Sequence, residues 1–111
     1  MSSLQVDVHT RRGATVVSLA GEAGVMTQDA LEKMIAKLCG LHVNRIVLDL
    51  AKLTFISSLA IGLFVTLERD MKSHGGHVTI AAANNDVGTV IERCKIDTIM
   101  PVFESVDEAI G

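Results

Sequence analysis

Two adjacent serines, Ser57 and Ser58, stand between apolar residues in FISSLAIG, residues 55–62, where a strand-forming run gives way to a helical one. A serine before an apolar helix can do two kinds of work. Its oxygen can accept an orphan backbone N–H as an N-cap. Alternatively, at the positive end of the helix dipole, it can carry a phosphate that the free amides tolerate. A phosphate would bring about 1.5 to 2 negative charges to a surface lined by Leu59, Ile61 and Gly62. A partner packing there would have to desolvate a dianion, so phosphorylation would switch binding off without unfolding the domain.

Other chemistries find little support. His74 and His77 flank Gly75-Gly76, but a metal needs further ligands converging on that turn, and the sequence nominates none. His9 and His42 fall in separate polar surroundings. No GxSxG elbow surrounds either serine, and neither GxxxxGK[ST] nor GxGxxG occurs. Asp49, Asp70 and Asp86 fall on different elements, so spacing does not pair them as acid and base. The expectation is a chain with no catalytic residue, no cofactor and no metal.

Composition narrows the partners. The 111 residues suffice for one domain with a single core. Trp and Tyr are absent and Phe occurs 3 times, so aromatic platforms for stacking bases are missing. A net charge of −3 argues against a polyanion as partner, and nucleic acid is not expected. No apolar run approaches the roughly 18 residues of a membrane span, and Asp7 interrupts the N-terminal segment where a signal peptide would be apolar. A soluble, cytoplasmic domain without membrane insertion is expected. Cys39 and Cys94 form no CxxC and fall at expected helix ends; reduced, partly buried thiols are the first reading, a structural disulfide the alternative.

The elements that must position the serines follow from periodicity. Leu4, Val6 and Val8 alternate with polar residues as in a strand with one wet face. Arg11-Arg12-Gly13 turns the chain into a second strand, ATVVSLAG, as an antiparallel hairpin. Thr27 is a plausible N-cap for a helix with Leu31, Met34 and Leu38 on one face, closed by Gly40. RIVLDL, residues 45–50, lacks alternation and reads as a central strand covered on both faces. After AKLTFISS comes a helix from about residue 58 to Ser73, with Ala60, Phe64, Leu67 and Met71 toward the sheet and Ile61 and Val65 widening the apolar arc. VTIAAA is the next strand. Asn84 or Asn85 caps a short helix bearing Val87, Val90, Ile91 and Cys94, and IMPVF is a last strand with Pro101 at an edge. Ser105 to Glu108 forms a capping box for a final helix. The order β-β-α-β-α-β-α-β-α predicts a single α/β domain over 1–111, with a mixed, mainly parallel sheet and helices packed on it.

At this level the chain resembles the STAS domain family in its anti-sigma-factor antagonist form. RIVLDLAKLTFISSLAIGL is similar to the family segment V-x-L-D-L-S-x-V-x-F-[IM]-D-S-[ST]-G-L-G, and the C-terminal half matches from the glycine pair to S-x-x-E-A. Aligned without a gap, Ser58 takes the position that family members phosphorylate. Ser57 replaces the motif acid, Leu59 the second hydroxyl residue and Ala60 the first glycine. Gly24 stands where the family loop G-E-[LIV]-D ends in an acid.

The resemblance implies a binding switch. Such antagonists bind an anti-sigma factor that is also a serine kinase of the GHKL type, which releases the sigma factor; phosphorylation ends binding and a serine phosphatase restores it. It implies phosphorylation at Ser58, with Gly24, Val25, Ser57, Leu59, Ile61 and Gly62 as interface, and Ser57 acting as a cap in place of the lost acid. The loss of both acids also leaves open a non-phosphorylated STAS scaffold in a signalling complex or beside a transporter. A small-molecule-binding α/β domain is a further alternative.

Overall fold

The computed structural model describes residues 3–111. Strands β1 (Leu4–Arg11) and β2 (Ala14–Ala23) form the expected hairpin. Its tip, Arg12 at φ 49° and Gly13 at φ 81°, has the two positive φ values that match a tight turn to the twist of the strands. A 3-10 turn, Val25–Thr27, leads into α1 (Gln28–Cys39). Then follow β3 (Arg45–Ile56), α2 (Ser58–Ser73), β4 (His77–Ala81), α3 (Asn85–Arg93), β5 (Val102–Phe103) and α4 (Val106–Ile110). The sheet order is β1-β2-β3-β4-β5; β1 is antiparallel to β2 and every other pairing is parallel.

The central strands are buried on both faces, as their unbroken apolar runs require. On one face Val17, Leu19, Ile46, Leu48, Val78 and Ile80 join buried residues of α1, α2 and α3 in the main core. On the other, Ala14, Val16, Val47 and Ala81 pack beneath Ala109 and Ile110 of α4. That short helix needs anchoring. The Arg45 guanidinium donates to the carbonyls of Ala109 and Ile110, Ser105 Oγ accepts from the Glu108 amide at 3.1 Å, and Arg11 and Arg12 reach Asp107 at 2.6 and 3.1 Å.

Four sequence expectations change. Strand β3 runs on through AKLTFI to Ile56, because β2 continues to pair with it beyond the end of β4, across register shifts between Ser18 and Ala20 and between Gly21 and Glu22. Val6 and Val8 face the α1 side but are not covered by it; β1 is an edge strand and both remain exposed. Thr27 occupies the N-cap position of α1 without capping it, since its hydroxyl turns back into the preceding loop. Cys94 is exposed rather than partly buried, while Cys39 is half-buried, and both thiols are free.

Ala60, Phe64, Leu67 and Met71 are buried under α2 as the helical spacing predicts. Glu68 shares their burial at only 2 % exposure. Its carboxylate accepts the Val78 amide at 2.9 Å and lies 3.7 Å from Lys72 Nζ, satisfying a backbone donor where β4 begins.

Candidate functional site

The two serines sit at the carboxyl end of β3, where open α/β sheets habitually place their sites. Ser57 is the N-cap of α2, with φ −98° and ψ 165°. Its Oγ accepts the Ala60 amide at 3.2 Å, its carbonyl accepts the Ile61 amide at 3.1 Å, and its own amide donates to the Ala23 carbonyl at 2.9 Å. The last bond ties the start of α2 to the end of β2. Ser58 is the first helical residue and its side chain is exposed. The amides of Ser58 and Leu59 find no acceptor among the described residues, as expected of the opening turn of a helix.

Beside this helix end lies the loop from Glu22 to Thr27. Thr27 holds it from inside: its buried hydroxyl donates to the Glu22 carbonyl at 2.9 Å, accepts the Gly24 amide at 3.0 Å and lies 3.2 Å from the Gly24 carbonyl. The Thr27 amide adds a bond to the Gly24 carbonyl at 3.1 Å. With both ends of the loop fixed, Val25 and Met26 project outward at 70 and 82 % exposure. Phe55, at 50 % exposure, completes the apolar surface. Glu22, Gly24, Val25, Met26, Phe55 and Ser57 line a shallow cleft of about 280 Å³.

The interface residues expected from sequence therefore divide. Val25 and Gly62 are exposed, Ser57 and Leu59 half-buried, and Gly24 lies buried beneath Phe55. Ile61 is corrected: it is buried in the main core with Leu31, Met34 and Ile35 of α1 and contributes nothing to the exposed patch. The reason is the packing of α1 against the flank of α2, which widens the arc that α2 must bury. Met26 and Phe55 belong to the surface and were missed. Their only sequence signal is a large apolar residue in a loop or on a strand end, which burial explains equally well.

The remaining candidates stay apart from this site. His74 ends α2, and its ring stands edge-on to His42 at 6.5 Å between centroids. Among the described residues no group of three or more His, Cys, Asp or Glu side chains is placed to hold a metal ion. No helix among them is long and apolar enough to cross a membrane. On the opposite side of the sheet, Asp49 accepts from Ser18 Oγ at 3.0 Å and from the Ala51 amide at 3.1 Å. Cys39 has its thiol pKa pushed above the ordinary 9.0, first by burial and then by the neighbouring Asp70 carboxylate.

Comparison with known proteins agrees with this architecture. The family model for the STAS domain matches residues 5–109. An anti-sigma F factor antagonist from Paenibacillus polymyxa is 25 % identical over 109 residues, covering 97 % of this chain and 93 % of that one. Among solved structures, an anti-sigma factor antagonist from Mycobacterium paratuberculosis superposes with a TM-score of 0.89 at 23 % identity, covering 97 % of this chain and 92 % of that one. The antagonist SpoIIAA, solved in its unphosphorylated form, gives 0.78 at 22 % identity, with coverages of 97 and 93 %. A family match over nearly the whole chain, on a five-stranded sheet in the same architecture, makes this protein a member of the STAS domain family.

Proposed function

We propose that this protein is an anti-sigma factor antagonist whose binding to an anti-sigma factor is switched off by phosphorylation of Ser58. The observation that carries the reading is the exposed Ser58 at the first position of α2, directly after Ser57, which lines a cleft with Val25, Met26 and Phe55. The named role of the Paenibacillus polymyxa relative supports the partner class.

The division of labour between the serines follows from their bonds. Ser57 Oγ is engaged with the Ala60 amide, so the helix keeps its cap whichever state Ser58 is in. Ser58 Oγ is free to accept a phosphoryl group from ATP held by a serine kinase of the GHKL type, the proton of the hydroxyl being lost in the transfer. The phosphate then meets the amides of Ser58 and Leu59 and the positive end of the helix dipole, so the fold accommodates it. A partner packing on the neighbouring apolar side chains instead has to desolvate about two negative charges, which removes the binding free energy. A serine phosphatase restores the binding form. The chain acts as a ligand in this cycle and contributes no catalytic residue.

The test pairs the purified chain with GHKL-type kinases of its source organism and ATP. Expected are phosphate at Ser58 by mass spectrometry, none in Ser58→Ala, and complex formation by wild type and Ser58→Ala that Ser58→Asp loses. Phosphate confined to other residues sinks the Ser58 assignment. Equal binding by all three forms means a constitutive scaffold.

A further inference from the structure

We propose that the outer edge of β1 is a self-association surface, on which β1 of a second copy of this chain pairs antiparallel with Val8 opposite Val8 and Asp7 opposite His9. Strand β1 is the last strand of the sheet, so its outer row of N–H and C=O groups has no partner strand among the described residues. It is eight residues long and pairs with β2 in unbroken register from Leu4↔Gly21 to Arg11↔Ala14. Of the usual guards of an edge, the strand has no proline, no lysine and no bulge; its charged residues are Asp7 and Arg11.

Its side chains sort by face. Val6 and Val8 point toward α1 and stay exposed. With Met34, Leu38 and Leu41 they line an apolar groove of about 1010 Å³, in which Lys33 and Lys37 on the α1 wall are the charged members. Asp7, His9 and Arg11 alternate with the valines and lie on the α4 side, where Arg11 meets Asp107.

Self-pairing about a two-fold axis makes the same surface serve both copies. With the axis at Val8, Val6 falls opposite Thr10, Asp7 opposite His9 and Gln5 opposite Arg11. Directly opposed side chains are the stabilising unit of an antiparallel pair, and like charges so placed are unfavourable. This register puts valine against valine in the groove. It also places unlike groups together on the other face, extending the Asp7–His9 contact of 3.1 Å already present within each strand. An axis at Asp7 would oppose two carboxylates, and an axis at His9 two imidazoles. Lys33 and Lys37 lie along helix α1, from which their ammonium groups can reach water while their stems cover the groove.

The experiment is sedimentation velocity of the full chain at increasing concentration. The expected mass rises from 11.8 kDa toward twice that value. His9→Asp, which opposes two carboxylates, weakens association by about tenfold or more, and the exchange Asp7→His with His9→Asp restores it. Val8→Lys abolishes it. All three positions are exposed, and an unchanged far-UV circular dichroism spectrum verifies folding. A mass that stays monomeric at the highest concentration overturns the proposal. So does a dimer indifferent to Val8→Lys, or one that the charge exchange fails to restore.

Discussion

A β-carbon placed on Gly24 would stand 3.0 Å from Cε2 of Phe55. The absence of a side chain at one position and the seat of an exposed aromatic ring at the other are therefore one feature. Gly24 has an extended backbone, φ −156°, so the constraint is the ring and not the dihedral. Substituting Gly24→Asp should displace Phe55, whose half-exposed ring can swing into solvent, at a cost of about 1 kcal/mol or less. In the Phe55→Ala background the same substitution should cost almost nothing. The coupling is read from urea denaturation of the four forms of the cycle; additive effects would contradict the contact.

Ser57 and Ser58 should separate cleanly. Ser57→Ala removes the bond to the Ala60 amide and should lower stability by about 1 kcal/mol, the usual worth of a serine N-cap. Ser58→Ala, at an exposed position without such a bond, should change stability by less than about 0.5 kcal/mol. Thermal and urea unfolding check both; a larger loss at Ser58 would reverse the two roles.

The loop that presents Val25 and Met26 should depend on one hydroxyl. Thr27→Val keeps the shape of the side chain and removes its bonds to the Glu22 carbonyl and the Gly24 amide. Leaving these buried groups unmade should cost about 1–3 kcal/mol, with Thr27→Ser retaining most of it. Amide exchange at Gly24 should accelerate in the valine variant and stay slow in the serine one.

At Glu68 the carboxylate serves the Val78 amide. Glu68→Ala should cost about 2–3 kcal/mol, because it orphans a buried donor and removes a charge-assisted bond. Glu68→Gln preserves an acceptor and should cost less. Hydrogen exchange at Val78 distinguishes the two.

Cys39 and Cys94 should differ in reactivity. With its pKa raised by burial and by Asp70, Cys39 holds back the thiolate that is the nucleophile, and it is half-buried where Cys94 is exposed. Titration with a disulfide reagent should modify Cys94 first, and urea should erase the difference. Because the native state keeps its proton to higher pH than the unfolded chain, the stability linked to Cys39 is complete below the unfolded pKa near 9.0. It is lost as pH rises through the higher native value. Asp70→Asn should speed modification of Cys39.

Much of this molecule is written in local patterns. The unbroken apolar run of β3, the 3.6-residue spacing under α2, Ser57 before an apolar helix and an asparagine cap at Asn84 or Asn85 before α3 each follow from nearest-neighbour physics. The structure keeps all of them, including the Asn84 Oδ1 bond to the Val87 amide at 2.9 Å. Sequence similarity places Ser58 at the motif position, and the structure leaves it exposed at the opening of α2. What sequence could not supply is which apolar residues remain uncovered. Ile61, Val25, Met26 and Phe55 are equally hydrophobic as letters; α1 packing on the flank of α2 buries the first, while the Thr27 brace turns the loop that leaves Val25 and Met26 exposed. Glu68 and Thr27 likewise look like surface polar residues until long-range neighbours supply a strand amide or a loop carbonyl to bond. Periodicity fixes which side of an element is apolar, but burial depends on what the rest of the chain brings against that side.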